Sequence, residues 1–154
     1  MRMPTTESKL FSKEAREMLT LSRQEALGLH CSCVLSEHLI LGALALGRGA
    51  GVGLLAQAGL DLAQVRDYLT VVGNCSHETT NGYGKSTKRV FAASSRFSDI
   101  MGHPEVDTDH VILGLLDESD GGAAKVWQHF GIDTPKTVEA LVRRIADEKS
   151  SSSA

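Results

Sequence analysis

Ser36-Glu37-His38-Leu39-Ile40-Leu41-Gly42-Ala43-Leu44 returns 72 residues later as Thr108-Asp109-His110-Val111-Ile112-Leu113-Gly114-Leu115-Leu116, with five of the nine pairs identical and the other four conservative. The echo extends without a gap in both directions. Residues 11–69 lie over 83–141, so that Lys13 meets Lys85, Ser22 meets Ser94, Val34 meets Val106, Gly59 meets Gly131, Asp61 meets Asp133 and Leu69 meets Leu141. A fixed period of this kind marks one supersecondary unit used twice, and function is first sought in what the copies share.

The period within each copy is helical. Ser12 is placed to cap a helix in which Ala15, Met18, Leu19, Ser22, Ala26 and Leu29 recur at helical spacing, with Gly28 near its end. Ser36 reads as the N-cap of a second helix, with Glu37 where the helix dipole favours negative charge. Gly47 to Gly51 breaks the chain before a short third helix, Val52 to Ala58, which Gly59 ends. Asp61 caps a fourth helix through about Val72. The same order is expected at 85–101, 108–118, 122–130 and 134–148, the last opened by Thr134 as N-cap and Pro135 at the first helical position.

The expectation is an all-α fold of eight helices in two pseudosymmetric four-helix repeats over 9–146. Repeat one spans 11–72 and repeat two 83–146, with a polar, turn-rich linker at 73–82 and a disordered serine tail at 147–154. Each half alone buries too little apolar surface to be stable, so the halves should pack as one unit. Hydrophobic residues make up 42% but aromatics only 5%, which suits a core of Leu, Ile, Val and Ala in closely packed helices.

The net charge of -3 is small, and nothing resembles the basic footprint of a nucleic-acid binder. No apolar run approaches the roughly 20 residues that span a bilayer, and the start has no signal-peptide stretch, so a reducing cytoplasm is the default. Glu105, Asp107, Asp109, Asp117, Glu118 and Asp120 surround the second copy of the motif. They read either as a solvated face or as a docking surface for a basic partner.

Apparent chemistry dissolves on inspection. Gly82-Tyr83-Gly84-Lys85-Ser86-Thr87 looks like the end of a phosphate loop, but the first glycine of that motif would fall at Thr79 and no strand precedes it. Cys31, Cys33, Cys75, His30 and His77 depart from structural zinc spacing, and buried or idle cysteines are expected, with no metal and no cofactor. His38 and His110 stand at equivalent places. Repetition argues for a structural role, with each ring buried at the repeat interface and bonded to backbone, over the single asymmetric constellation that catalysis uses. No Ser or Cys beside them sits in a nucleophile motif, so no catalytic residues are assigned.

The residues resemble a family. Phe11-Ser12-x-x-Ala15, Ser36 to Leu44, Leu54-Leu55-x-x-x-Gly59-Leu60-Asp61 and Val65-Arg66, echoed by Thr108 to Leu116 and Val126-Trp127-x-x-x-Gly131-Ile132-Asp133, resemble the N-terminal repeat of Clp-family AAA+ unfoldases, most closely the ClpC type. The resemblance implies an all-α double repeat that does no chemistry and receives substrates or adaptor proteins, here as a free-standing or isolated domain without its ATPase. Clp ATPase, Clp peptidase, adaptors and substrates are the implied partners. It also implies a pocket for phosphoarginine in each half, the first using Glu37 on the guanidinium and Ser12 on the phosphate, the second using Asp109 and Gly84. Gly84 has no hydroxyl, and Leu10 stands where a basic residue is expected. Ser36, His38, Thr108 and His110 complete the motif as structural residues. The alternative reading for Glu37 is a helix-start acid serving the dipole.

Overall fold

The computed structural model describes residues 9–73 and 82–153, the last five of these by backbone alone. Among the described residues there are eight helices: α1 Lys13–Gly28, α2 Ser36–Leu46, α3 Ala50–Gln57, α4 Leu62–Val72, α5 Lys85–Ile100, α6 Thr108–Leu116, α7 Gly122–His129 and α8 Thr134–Ser153. The all-α double repeat follows the echo in the sequence.

The most apolar stretches, α2 and α6, form the centre. Leu39, Ile40, Leu41 and Ala43 are fully buried, as are Val111, Ile112, Leu113 and Leu115. A helix that is apolar on all sides is stable only inside others. The identity of Gly42 and Gly114 follows from how closely their neighbours approach. A Cβ at Gly42 would stand 2.7 Å from the Met18 carbonyl of α1, and one at Gly114 2.8 Å from both the Val90 carbonyl and the Ser94 hydroxyl of α5. Ser22 and Ser94 return their hydroxyls to those same carbonyls, at 2.8 and 2.7 Å.

The two halves are stitched by exchange. Phe11 makes a parallel bridge to Val106, and Val34 makes the equivalent bridge to Tyr83. The Ser12 amide donates to the Val106 carbonyl and the Gly84 amide to the Val34 carbonyl, each at 2.9 Å. The segment before the first helix of each repeat therefore pairs with the other repeat. Phe11 and Tyr83 meet over Phe91, with centroids 5.2 and 5.0 Å away.

Several boundaries depart from the expected ones. Ser36 is not an N-cap: it is the first residue of α2, after extended Leu35. The cap is made by His38, whose Nδ1 accepts the Leu35 amide at 2.9 Å. In α6 the N-cap position falls to Asp107, Thr108 lies inside the helix, and the His110 Nδ1 accepts the Asp107 amide at 2.8 Å. Asp133, not Thr134, caps α8, its carboxylate accepting the Lys136 amide at 3.1 Å as Asp61 accepts that of Gln64 at 3.2 Å. α3 begins at Ala50, two residues early, because Gly49 at φ +106° makes the turn that Gly51 was expected to share. α8 continues to Ser153 where a disordered tail was expected, since an anchored helix extends at little cost per residue.

Of the cysteines expected to be buried or idle, Cys31 and Cys33 are both buried; Cys33 remains a thiol, whereas Cys31 is disulfide-bonded and so is not idle. Cys75, His77 and the body of the expected linker lie outside the described residues.

Candidate binding site

The motif acids stand one residue into their helices, and the chain folds so that each faces the opposite repeat. Asp109 Oδ1 accepts the Gly51 amide at the start of α3, at 2.9 Å. Gly51 must be glycine here, because a Cβ would lie 2.7 Å from Ile112 and 3.0 Å from the Asp109 carboxylate. Glu37 lies against Gly122 at the start of α7 in the same way, closely enough that any side chain at 122 would collide with its carboxylate. Both acids are buried, Glu37 at 3% and Asp109 at 9% exposure.

The exchange between halves corrects the expected pairing. Ser12 does not join Glu37. Its hydroxyl donates to Asp107 Oδ1 at 2.6 Å, accepts the Ala15 amide at 3.1 Å, and lines one cavity with Asp109. Gly84, bonded to Val34, belongs to the Glu37 side. The serine and the aspartate come together from different copies, a result that no alignment of one copy on the other contains.

The Ser12–Asp109 cavity has a volume of about 340 Å³ and is also lined by His103, Glu105, Asp107, His110 and Glu148. Among the described residues no lysine or arginine lines it. Burial pushes the Asp109 carboxyl up to about 6, with the charges of Asp107 and Glu148 adding to the rise and the Gly51 amide opposing it. Burial lowers the His110 imidazole to about 4, so both of its nitrogens act in the neutral form. Since Nδ1 accepts from backbone, Nε2 carries the proton and donates to His103 Nδ1 at 2.8 Å. His103 and Glu148 escaped the sequence reading because His103 has Cys31 as its counterpart and Glu148 arrives from α8, remote in the chain.

On the other side, the Ser36 hydroxyl donates to Glu118 Oε1 at 2.7 Å, and the Ala123 amide at the start of α7 donates to both oxygens at 3.1 Å. Burial raises the Glu37 carboxyl to about 7; the Glu118 charge adds to this, while the Glu37 backbone amide and Lys125 work against it. His38 is fully buried and lowered to about 4 by desolvation. Its Nε2 has no partner among the described residues. Thr108 occupies the place of Ser36, but Leu46 stands where Glu118 would, and the Thr108 hydroxyl is buried without a partner among the described residues.

The acidic group noted in the sequence thus divides. Glu105, Asp107 and Asp109 surround the cavity, whereas Asp117, Glu118 and Asp120 line a separate groove beside α5. Fixed carboxylates around a concave site attract and orient a cation, and neutral His110, its ring held by the Asp107 amide, keeps the rim rigid.

Comparison with known proteins agrees with this architecture. The chain matches the family of the Clp repeat (R) N-terminal domain over residues 10–130 and 82–153. It is 28% identical over 146 residues to the negative regulator of genetic competence ClpC/MecB of Bacillus subtilis, covering 94% of this chain and 18% of that protein. It is 27% identical over 142 residues to the chaperone protein ClpB of Oceanobacillus iheyensis, covering 91% of this chain and 18% of the relative. The chain thus spans less than a fifth of the length of these relatives. The N-terminal domain of the ClpD chaperone of Arabidopsis thaliana superposes with a TM-score of 0.74 at 26% identity, over 88% of this chain and 96% of that one. The Hsp104 N-terminal domain of Candida albicans shares the fold, with a TM-score of 0.70 at 12% identity over 87% and 90%. The buried double motif, the exchanged bridges and the match along nearly the whole chain make this protein a member of the Clp repeat N-terminal domain family.

Proposed function

We propose that this chain is a non-enzymatic protein-binding module of the Clp chaperone and protease system, accessory or adaptor-like, that engages Clp ATPase or peptidase components, adaptors or substrates. The observation that carries the reading is the acidic cavity that both repeats build around Asp109. Its chemistry supports a cationic side chain as the anchored group: carboxylates pair with guanidinium through charge-assisted, bidentate bonds, and a concave site strengthens them. The Ser12 hydroxyl already serves Asp107, and the lining holds four acids. That balance favours an unmodified arginine or lysine over a phosphorylated one in this cavity.

Phosphoarginine is the second reading, and it is supported on the Glu37 side. There the Ala123 amide, the Ser36 hydroxyl and Lys125 are suited to a phosphate, with Glu118 as the acid that a ligand would displace.

Size exclusion and pull-down against a cognate Clp ring, its peptidase and its adaptors test the first reading, with Asp109→Asn as the comparison. Co-elution weakened by the variant supports it, and failure to bind any component sinks it. Calorimetry with phosphoarginine on wild type and Glu37→Ala tests the second. Equal heats for the two proteins exclude that pocket.

A further inference from the structure

The wall of the acidic cavity holds an imidazole pair whose hydrogen-bond roles are fixed by a run of contacts with a single direction. The Ser12 hydroxyl donates to Asp107 Oδ1 at 2.6 Å, and the Asp107 amide donates to His110 Nδ1 at 2.8 Å. His110 must therefore carry its proton on Nε2, which faces His103 Nδ1 at 2.8 Å. His103 closes this contact only as an acceptor, with Nδ1 bare. A second proton on His103 would set N–H against N–H at that distance, so the charged ring and the closed contact exclude each other.

The backbone around His103 is tied down. Its amide donates to the Ser98 carbonyl at 2.9 Å, and the buried Ser98 hydroxyl donates to the Glu105 carbonyl at 2.6 Å. Any response falls on the half-buried His103 ring, which turns about its side-chain bonds. His110 cannot take the proton in its place, because its Nδ1 is occupied by a backbone amide and burial holds it at about 4. Carboxylates surround a released ring: Asp107 and Asp109 from α6, Glu105 from the preceding turn and Glu148 from α8. Against them stands Lys9, which acts on His110 and whose ammonium is held by Asp99 of α5. Repeat one has no equivalent pair. Position 31 aligns with 103 and is a disulfide-bonded cysteine, and His38 Nε2 has no partner among the described residues.

We propose that His103 is an acid-operated latch on this cavity: proton uptake breaks its contact with His110 and turns the imidazolium onto the cavity's carboxylates, where it competes with a cationic guest. Imidazole is the side chain that ordinarily gains its charge between pH 8 and 5. Competition with a guest rests on the reading of the cavity as a cation site; the latch itself does not. Asp109, held at about 6, loses its charge over the same range and weakens cation binding with the same sign. The two contributions are separated by removing the imidazole alone, as His103→Asn does. The asparagine amide oxygen stands near the place of Nδ1, accepts from His110 Nε2 and takes up no proton.

Imidazole nitrogen–proton correlation spectra of the intact chain, titrated from pH 8 to 5, read the latch without any ligand. His103 should gain a proton while His110 stays in its neutral Nε2–H form, and the His110 ring and Asp107 amide signals should move with the midpoint of His103. In His103→Asn, whose thermal melt at pH 8 checks its fold, that step should vanish from the Asp107 amide; the wild-type titration decides alone if the variant does not fold. A His103 that stays neutral to pH 5, a His110 that takes the proton first, or a His103 titration with no response at His110 overturns the inference. Binding of Nα-acetylarginine amide, followed through the amide signals of Asp109 and Gly51, reads the competition. From pH 7.5 to 5.5 at fixed ionic strength, wild-type affinity should fall more steeply than that of His103→Asn, by up to about tenfold per pH unit below the His103 midpoint, since one excluded proton is linked to each bound cation. Equal slopes refute the competition. No binding at pH 7.5 defeats the cation reading instead, and the ring titration still decides the latch.

Discussion

Glu37 makes the stability of this protein depend on pH in a direction opposite to that of ordinary surface acids. Its carboxyl is held at about 7 in the folded chain against 4.5 in the unfolded one, chiefly by burial and then by the charge of Glu118. Between those values the folded state binds more protons than the unfolded state, so unfolding free energy falls as pH rises. The stabilisation from the protonated acid is fully present below 4.5 and is lost as pH passes through about 7. The difference of 2.5 between the two values amounts to about 3 kcal/mol at 1.36 kcal/mol per unit. Glu37→Gln keeps the shape and cannot ionise. Urea denaturation of both proteins from pH 4.5 to 8 should therefore show the variant gaining about 3 kcal/mol relative to wild type across that range, whatever its offset at the acid end. Asp109 contributes a pH slope of the same sign to both proteins, so it cancels in the comparison. Parallel profiles for the two chains would refute the buried, proton-holding Glu37 described above.

Other consequences follow from contacts of single residues. Gly114→Ala should destabilise by about 1–3 kcal/mol in thermal or urea unfolding, because its Cβ enters the contact with Val90 and Ser94. Gly53→Ala, in open space within α3, should instead stabilise by about 0.5–1 kcal/mol. Asp109→Ala strands the Gly51 amide and should cost about 1–3 kcal/mol of unfolding free energy, while Asp109→Asn, which retains an acceptor, should cost less. Trp127 donates to the Leu115 carbonyl at 2.9 Å and is nearly buried, so Trp127→Phe should lose about 1–3 kcal/mol by urea unfolding followed with circular dichroism.

Much of the fold was legible because helical period, caps and breakers are local properties. Gly59 at φ +96° and the cap at Asp61 stand where turn chemistry required them. Gly42 and Gly114 were visible as a repeated pair, but their cause, a carbonyl and a hydroxyl from the preceding helix, was not. Ser36 misled because hydroxyls are good caps, yet an imidazole at the third helical position, aligned by burial, took the Leu35 amide. Cys31 gave no signal of its bond, since three unevenly spaced cysteines specify no framework. The candidate site was half legible: Glu37, Asp109 and Ser12 were all singled out, and their grouping was not.

Amino-acid order alone determined the duplication, the all-helical class and which residues fill the core, because periodicity and side-chain volume act over a few turns. Only the tertiary structure decided that each candidate face draws on both copies. Crossing the Phe11–Val106 and Val34–Tyr83 bridges moves Ser12 to Asp109 and leaves Glu37 facing α7. The physical reason is that two marginal half-domains gain stability by pairing each other's edges. Residues equivalent by sequence thereby come to lie in different neighbourhoods.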